Sequence, residues 1–271
     1  MDNDRRFGGL SRLYGDGFHN ALQTQAHAMV VGVGGVGSWA VEALARSGVG
    51  HLTLVDMDHV AESNINRQIQ ATDTTLGQEK IRALADRIAT YAPHCQLTLV
   101  DDFLTPDNAA VLLGQFYAGL PEGDHGVVLD CCDQARAKLA MALWMRQNAK
   151  TLFMAGSAGG KTQPWLLQPV DLRDTVNDPL LSKVRYQLRR SGVFSRDAKL
   201  KMKLQVVYSP QPVKQGDACD TQAGLNCAGY GSAVTVTATM GMQLAGLCIN
   251  HWASLLNRPI SSPINSSTPN V

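Results

Sequence analysis

The sequence predicts an α/β protein built on a largely parallel, doubly wound sheet, and three observations carry that prediction. Five short apolar runs alternate with helical patterns through the first 160 residues. The first run ends in a glycine turn, Gly32, Gly34, Gly35 and Gly37, from which a helical pattern starts. The second run ends in Asp56, nineteen residues after the last of those glycines. A tight strand-to-helix turn followed by an acid at the tip of the next strand is the layout of a Rossmann-like nucleotide-binding unit.

Taken in order, the opening MDNDRRFGGL is charged and glycine-bearing, which argues against an export signal and for a cytoplasmic protein. Strands are expected at 28–33, 51–56, 95–101, 125–130 and 151–156, with helices at 37–47, 76–91, 106–114 and 133–147 between them. After Gly160 the alternation gives way to a C-terminal α/β extension: a strand from Gln163 to Val170, a basic helix over 178–190 and a strand from Leu204 to Ser209. A Gly/Cys loop follows at 210–229, then an apolar stretch, Ala233–Ile249. Its Thr235, Thr237, Thr239 and Gln243 fit a buried helix at a dimer interface better than a lipid-facing one; membrane association through 233–249 is the alternative. Residues 1–160 therefore read as a nucleotide-binding core and 161–257 as a substrate and dimerisation part of the same domain. The Ser/Pro/Asn-rich 258–271 reads as a disordered tail.

At 271 residues, 45% of them hydrophobic, the chain is long enough to bury a sizeable core. Its six cysteines include no C-x-x-C pair, so neither a zinc clamp nor a thioredoxin-like motif is indicated, and free thiols are expected. Net charge is only +1, yet Lys183–Lys203 holds eight basic residues and one acid, +7, leaving −6 for the remainder. That asymmetry points to a polyanion such as RNA, met by Arg185, Arg189, Arg190, Arg196, Lys199, Lys201 and Lys203. A solvated loop is the plainer alternative.

Gly32 permits the tight turn, the next glycines let backbone approach a phosphate or ribose, and the following helix offers free N–H groups to an anion. Asp56 would accept from ribose hydroxyls, a role that serves NAD and ATP alike. What favours ATP lies downstream. Arg67 and Lys80 supply permanent positive charge, and Asn64 and Gln68 neutral donors, a set suited to a triphosphate. Taken singly, Arg67 could be a surface ion pair and Lys80 could pair with an acid such as Asp86. In GVVLDCCDQARAKL a strand ends in Asp130 and a helix opens near Asp133. A carboxylate beside a triphosphate calls for a hard cation between them, which makes Asp133 a magnesium ligand or, on the alternative reading, a helix N-cap. Cys131 and Cys132 read as packing residues.

With its G-x-G-G-x-G turn, D-x-D, SNINRQ, helix lysine and D-C-x-D, the stretch Gly32–Asp133 resembles the ubiquitin-activating-enzyme-like adenylyltransferase superfamily, which includes the molybdopterin and thiazole biosynthetic adenylyltransferases. The resemblance implies an ATP site of Gly35, Asp56, Asn64, Arg67, Gln68, Lys80 and Asp133, with magnesium on Asp133, and a homodimer. RRFGGLSRLYG, SNINRQ and CDTQAGLNCAGYGS together are similar to the tRNA threonylcarbamoyladenosine dehydratase subfamily. That implies ATP-dependent cyclisation of N6-threonylcarbamoyladenosine in the anticodon loop of tRNA, through adenylation of its carboxylate. The alternative is adenylation of the C-terminus of a ubiquitin-like sulfur carrier. Cys219 stands where relatives carry a catalytic or sulfur-handling cysteine, followed by Cys227; capture of the acyl group, or of sulfur from a cysteine-desulfurase and sulfur-acceptor system, stands against an inert thiol. Gly9 occupies the place of an arginine that in relatives reaches the neighbouring protomer's ATP, with Arg6 or Arg12 as substitutes.

Overall fold

The computed structural model describes residues 3–213 and 230–256. One seven-stranded sheet forms its centre, made of β1 (Ala26–Val31), β2 (His51–Val55), β3 (Gln96–Val100), β4 (His125–Asp130), β5 (Thr151–Ala155), β6 (Gln168–Asp171) and β7 (Gln205–Tyr208). The strand order is β3-β2-β1-β4-β5-β7-β6, and every neighbouring pair is parallel except β6 with β7. The helices are α1 (Asn3–Phe7), α2 (Gly9–Tyr14), α3 (Phe18–Gln25), α4 (Gly37–Arg46), α5 (Lys80–Ala89), α6 (Ala109–Ala118), α7 (Ala135–Gln147), α8 (Pro179–Arg190) and α9 (Val234–Leu256).

The central strand β1 is buried along its whole length because both faces of the sheet are covered there. Ala28 and Val30 of β1 join one core with Leu22 of α3, Leu44 of α4, Leu84 of α5 and Met240 of α9. Met29 and Val31 point the other way, into a second core with Leu113 of α6, Met141 of α7 and Val184 of α8. With β2 on one side of β1 and β4 on the other, the strand order reverses at β1/β4, and a crevice opens beyond the carboxyl ends there.

Three local expectations change. The helix expected from residue 76 begins only at Lys80, because Asp73–Thr75 form a 3-10 turn and His59 bridges to Glu79. The strand expected from Gln163 opens instead as a 3-10 turn, Pro164–Leu166, since proline offers no ladder N–H, and only Gln168–Asp171 pair. Helix α7 starts at Ala135 behind Gln134, so Asp133 is not its N-cap. Residues 234–249 of the apolar stretch belong to α9, one face of which, with Val236, Met240, Leu244 and Cys248, is buried in the chain's own core. A Cβ added to Gly241 would sit 2.4 Å from the Val36 carbonyl, so α9 rests directly on the start of α4. No described helix is long and apolar enough to cross a membrane. Cys219, Cys227 and the tail 258–271 lie outside the described residues, and the four described cysteines are free.

Candidate nucleotide-binding and catalytic site

A cavity of about 550 Å³ occupies the crevice, and it gathers Gly32, Gly34, Gly35, Asp56, Asn64, Arg67, Gln68, Lys80 and Asp133 from separate stretches of sequence. Gly37 is not among its lining residues. The four glycines of the turn divide the work. Gly32 adopts φ +82°, which favours glycine, and a Cβ there would lie 3.1 Å from the Cys132 backbone. A Cβ on Gly37 would fall 1.8 Å from the Gly32 carbonyl oxygen, so this glycine lets the helix close onto the turn. At Gly34 the nearest atom to an added Cβ is Gln68 Nε2 at 3.8 Å, so that face of the turn is open to a ligand. Gly35 is flanked by Thr237 and Arg67.

Asp56, buried at the end of β2, accepts the Val33 N–H at 2.7 Å and the Asp58 N–H at 2.9 Å, which fixes both the carboxylate and the glycine turn. Burial pushes its carboxyl up, opposed by the Asp58 N–H and the charge of Lys80. Lys80 pairs with Asp58 Oδ2 at 2.7 Å rather than with Asp86, which accepts from Gln78. Arg67 has no carboxylate partner among the described residues. Its Nη1 donates to Ser63 O at 2.5 Å and Asn66 Oδ1 at 3.0 Å, while its own carbonyl is held by Trp39 Nε1 and Thr237 Oγ1. The amide oxygens of Asn64 and Gln68 accept from the Ala61 N–H and from Gln70 Nε2 respectively, which leaves their NH₂ groups to serve a ligand.

The two acids after β4 separate sharply. Asp133 is exposed on the cavity wall. Asp130 is completely buried and pairs with an equally buried Lys138 at 2.9 Å, with the Cys132 N–H and Sγ donating to the same oxygen. Lys138 also donates to the Ala155 carbonyl, tying β4 to β5. Burial pushes the Asp130 carboxyl up and Lys138 pulls it back. Among the described residues no group of three or more His, Cys, Asp or Glu is placed to hold a metal ion. A single carboxylate such as Asp133 suits magnesium that is otherwise held by phosphate oxygens and water. Burial pushes the Cys131 thiol up to about 12 and that of Cys132 well above its usual range, so both are protonated packing groups.

Sequence reasoning missed Lys138, Lys161 and Asp178. Lys161 is buried and donates to the carbonyls of Asn177, Ser209 and Gln211, and Asp178 accepts from the Ser157 N–H at 2.8 Å while capping α8 through Leu181. Together they fix the far wall of the cavity, Gly156–Gly159, against α8. The available signals were a lysine inside the glycine-rich GSAGGKT and, for Lys138, a cation on the apolar face shared with Met141 and Met145.

In the basic segment, Lys183, Arg190, Arg196, Lys199, Lys201 and Lys203 are exposed. Arg185 is not a free cation. Its guanidinium binds Leu172 O, Thr175 O and Thr175 Oγ1, holding α8 to the preceding turn. Arg189 is half-buried against Ala198 O. Arg6 donates to Tyr91 O and Arg12 is exposed on α2; neither lines the cavity of its own chain.

The ThiF family model matches residues 9–256. A tRNA threonylcarbamoyladenosine dehydratase of Haemophilus influenzae is 41% identical over 246 residues, covering 89% of this chain and 91% of its own. The crystal structure of Escherichia coli tRNA N6-threonylcarbamoyladenosine dehydratase in complex with ATP matches with a TM-score of 0.82 at 37% identity, over 96% of this chain and 99% of that one. A molybdopterin-synthase adenylyltransferase of Salmonella typhimurium is 40% identical over only 113 residues, 42% of either chain.

Proposed function

The chain belongs to the ThiF family, and from that premise we propose that it is an ATP-dependent tRNA threonylcarbamoyladenosine dehydratase. A carboxylate is a poor electrophile because its leaving group would be oxide. One carboxylate oxygen of the threonyl group attacks the α-phosphorus of ATP, pyrophosphate leaves, and the oxygen now belongs to an acyl phosphate. A nucleophile of the same modified side chain then attacks the acyl carbon, loses its proton and expels AMP with that oxygen. The net change in the base is loss of water, and because ring closure is intramolecular, proximity supplies much of the second step.

The observation that carries this reading is the convergence of an uncompensated Arg67, Lys80, Asp56 and the open face of Gly34 on one cavity. Asp56 accepts from the ribose, the glycine turn offers backbone N–H groups to the phosphates, and Arg67 and Lys80 stabilise charge as pyrophosphate leaves. Asp133 would hold magnesium, which neutralises triphosphate charge when bound. Asp130 is committed to Lys138 and takes no part. The sulfur-carrier alternative is supported only by matches that cover 42% of this chain. The family resemblance favours a homodimer, which light scattering tests. A sulfur partner would act at Cys219, which lies outside the described residues.

The test is AMP release and nucleoside mass spectrometry on modified tRNA. Arg67→Ala and Lys80→Ala should each lower AMP formation by about 100-fold or more, with melting temperatures close to the parent's. Asp133→Asn should lose its response to added magnesium. Unchanged turnover in the first two variants, or AMP formation that needs a carrier protein instead of tRNA, would overturn the reading.

A further inference from the structure

A second cavity, about 860 Å³, opens at the opposite end of the sheet. It is lined by Thr151 and Gln205, the first residues of β5 and β7, whereas the first cavity is lined by Gly156, just beyond the end of β5. Five residues of strand put the two cavities about 17 Å apart. Helix α8 runs the same course outside the sheet. Its Pro179 and Leu180 line the nucleotide cavity, and Phe194, four residues past its end, lines the second. Twelve helical residues span about 18 Å, so both routes give the same separation.

The second cavity has the chemistry of an anion site with an apolar floor. Arg146, Lys150 and Lys203 stand exposed at its rim around the buried rings of Phe153 and Phe194. No acid lines it, and among the described residues no carboxylate pairs with any of the three cations. Asp171 accepts the Lys203 backbone N–H and makes no ion pair with its ammonium. Arg146 lies over the Phe194 ring at 5.6 Å and Lys150 over Tyr117 at 4.7 Å, so aromatic faces rather than counter-ions hold them. Backbone conformation concentrates here too. Of the three described non-glycine residues with positive φ, two, Ala149 at 51° and Lys203 at 53°, line this cavity.

We infer that this cavity is a second phosphodiester-binding site for the substrate tRNA, in which the RNA backbone, running along α8 from the reacting nucleotide, meets Arg146, Lys150 and Lys203. The inference rests on reading the substrate as tRNA. An extended RNA fits better than a free nucleotide because all three cations are on the rim, where a backbone can pass, and none is buried to converge on one small anion. The exposed Lys183 and Arg190 of α8 carry positive charge along the path between the two cavities. Contacts of this kind fix the register of the RNA without reading its sequence.

The test compares the full-length parent with Arg146→Gln/Lys150→Gln and the charge-keeping Arg146→Lys/Lys150→Arg. Binding of unfractionated modified tRNA is measured across a salt series, together with binding of ATP alone. The Gln variant should bind tRNA several-fold more weakly, with the slope of log K against log salt reduced by about 1 per lost contact; the charge-keeping variant should restore both. Conversion of the isolated modified nucleoside, too short to reach the second cavity, should be the same in all three proteins. A parent-like slope in the Gln variant would overturn the site, as would equal loss in the charge-keeping variant or competition by AMP at the second cavity. Failure of the parent itself to convert modified tRNA would instead overturn the assigned reaction, so the two failures are distinguishable.

Discussion

Gly34 and Gly37 are three residues apart in one turn and lack side chains for opposite reasons. Gly37 is filled against protein: its missing Cβ would stand 1.8 Å from a carbonyl oxygen, and the turn must open to admit one. Gly37→Ala should therefore cost about 1–3 kcal/mol, the range for an overpacked site. Gly34 is open toward the cavity, so Gly34→Ala should leave stability within about 0.5 kcal/mol of the parent while weakening ATP. Thermal melting read beside ATP titration checks both. A Gly34→Ala protein that binds ATP like the parent would remove this turn from the nucleotide's path. The same contrast shows what a motif conveys: G-x-G-G-x-G marks the turn, but only the surrounding atoms separate a glycine kept for packing from one kept for a ligand. Asp130 and Asp133 follow the same logic. Both stand at the end of an apolar strand in sequence, and only the burial of Lys138 against Asp130 leaves Asp133 as the one free to serve a metal.

Between elements, Glu42 provides a measurable tie. It sits on α4, is buried, and accepts from Arg46 on its own helix and from Arg87 of α5 and Tyr91 beyond it. Burial pushes its carboxyl up, but the bonds from Arg87, Tyr91 and Arg46 outweigh that and hold it below the ordinary 4.5. Stability from this group is thus fully present above pH about 4.5 and is lost as pH falls through the lower folded value, where the unfolded chain binds more protons. Glu42→Gln should flatten that limb of a urea-stability profile taken against pH, and should cost roughly 1–3 kcal/mol at neutral pH, toward the lower end because both arginines are partly exposed. An unchanged acid limb would show that the network is not coupled to folding. Elements of this kind were legible in unequal measure. β4 and β5 follow from nearly unbroken apolar runs, because a strand covered on both faces needs no polar alternation, whereas β2 and the edge strand β3 show as the alternating HLTLV and QLTLV. The pairing of α4 with α9 was not legible: nothing near Gly241 in sequence announces the backbone of Val36, 205 residues earlier. Arg185 reads as one more cation in a basic run, and its role as a clamp on Leu172 and Thr175 emerges only when α8 folds back over that turn.

Across the whole molecule, charge and chemistry separate. The 21-residue segment Lys183–Lys203 carries +7 against −6 for everything else. The fold sets part of that segment, Arg185 and half-buried Arg189, to internal use, and presents the rest to solvent. Only exposed cations can exchange their counter-ions for RNA phosphates, so this segment's electrostatic share of tRNA binding should reside in exposed cations such as Arg190, Arg196, Lys199 and Lys201, adding to that of Arg146, Lys150 and Lys203 at the second cavity, and not in Arg185. Replacing these four with Gln should weaken tRNA binding and lower the salt slope by about 1 for each contact made, with ATP affinity unchanged because none of the four lines the nucleotide cavity. Arg185→Gln provides the internal control. It should lower the melting temperature, since carbonyls at Leu172 and Thr175 lose their donor, while leaving the salt slope where it was. The two effects exchange places if the segment is surface decoration and Arg185 is the true RNA ligand, and a paired measurement of slope and melting on both proteins tells them apart.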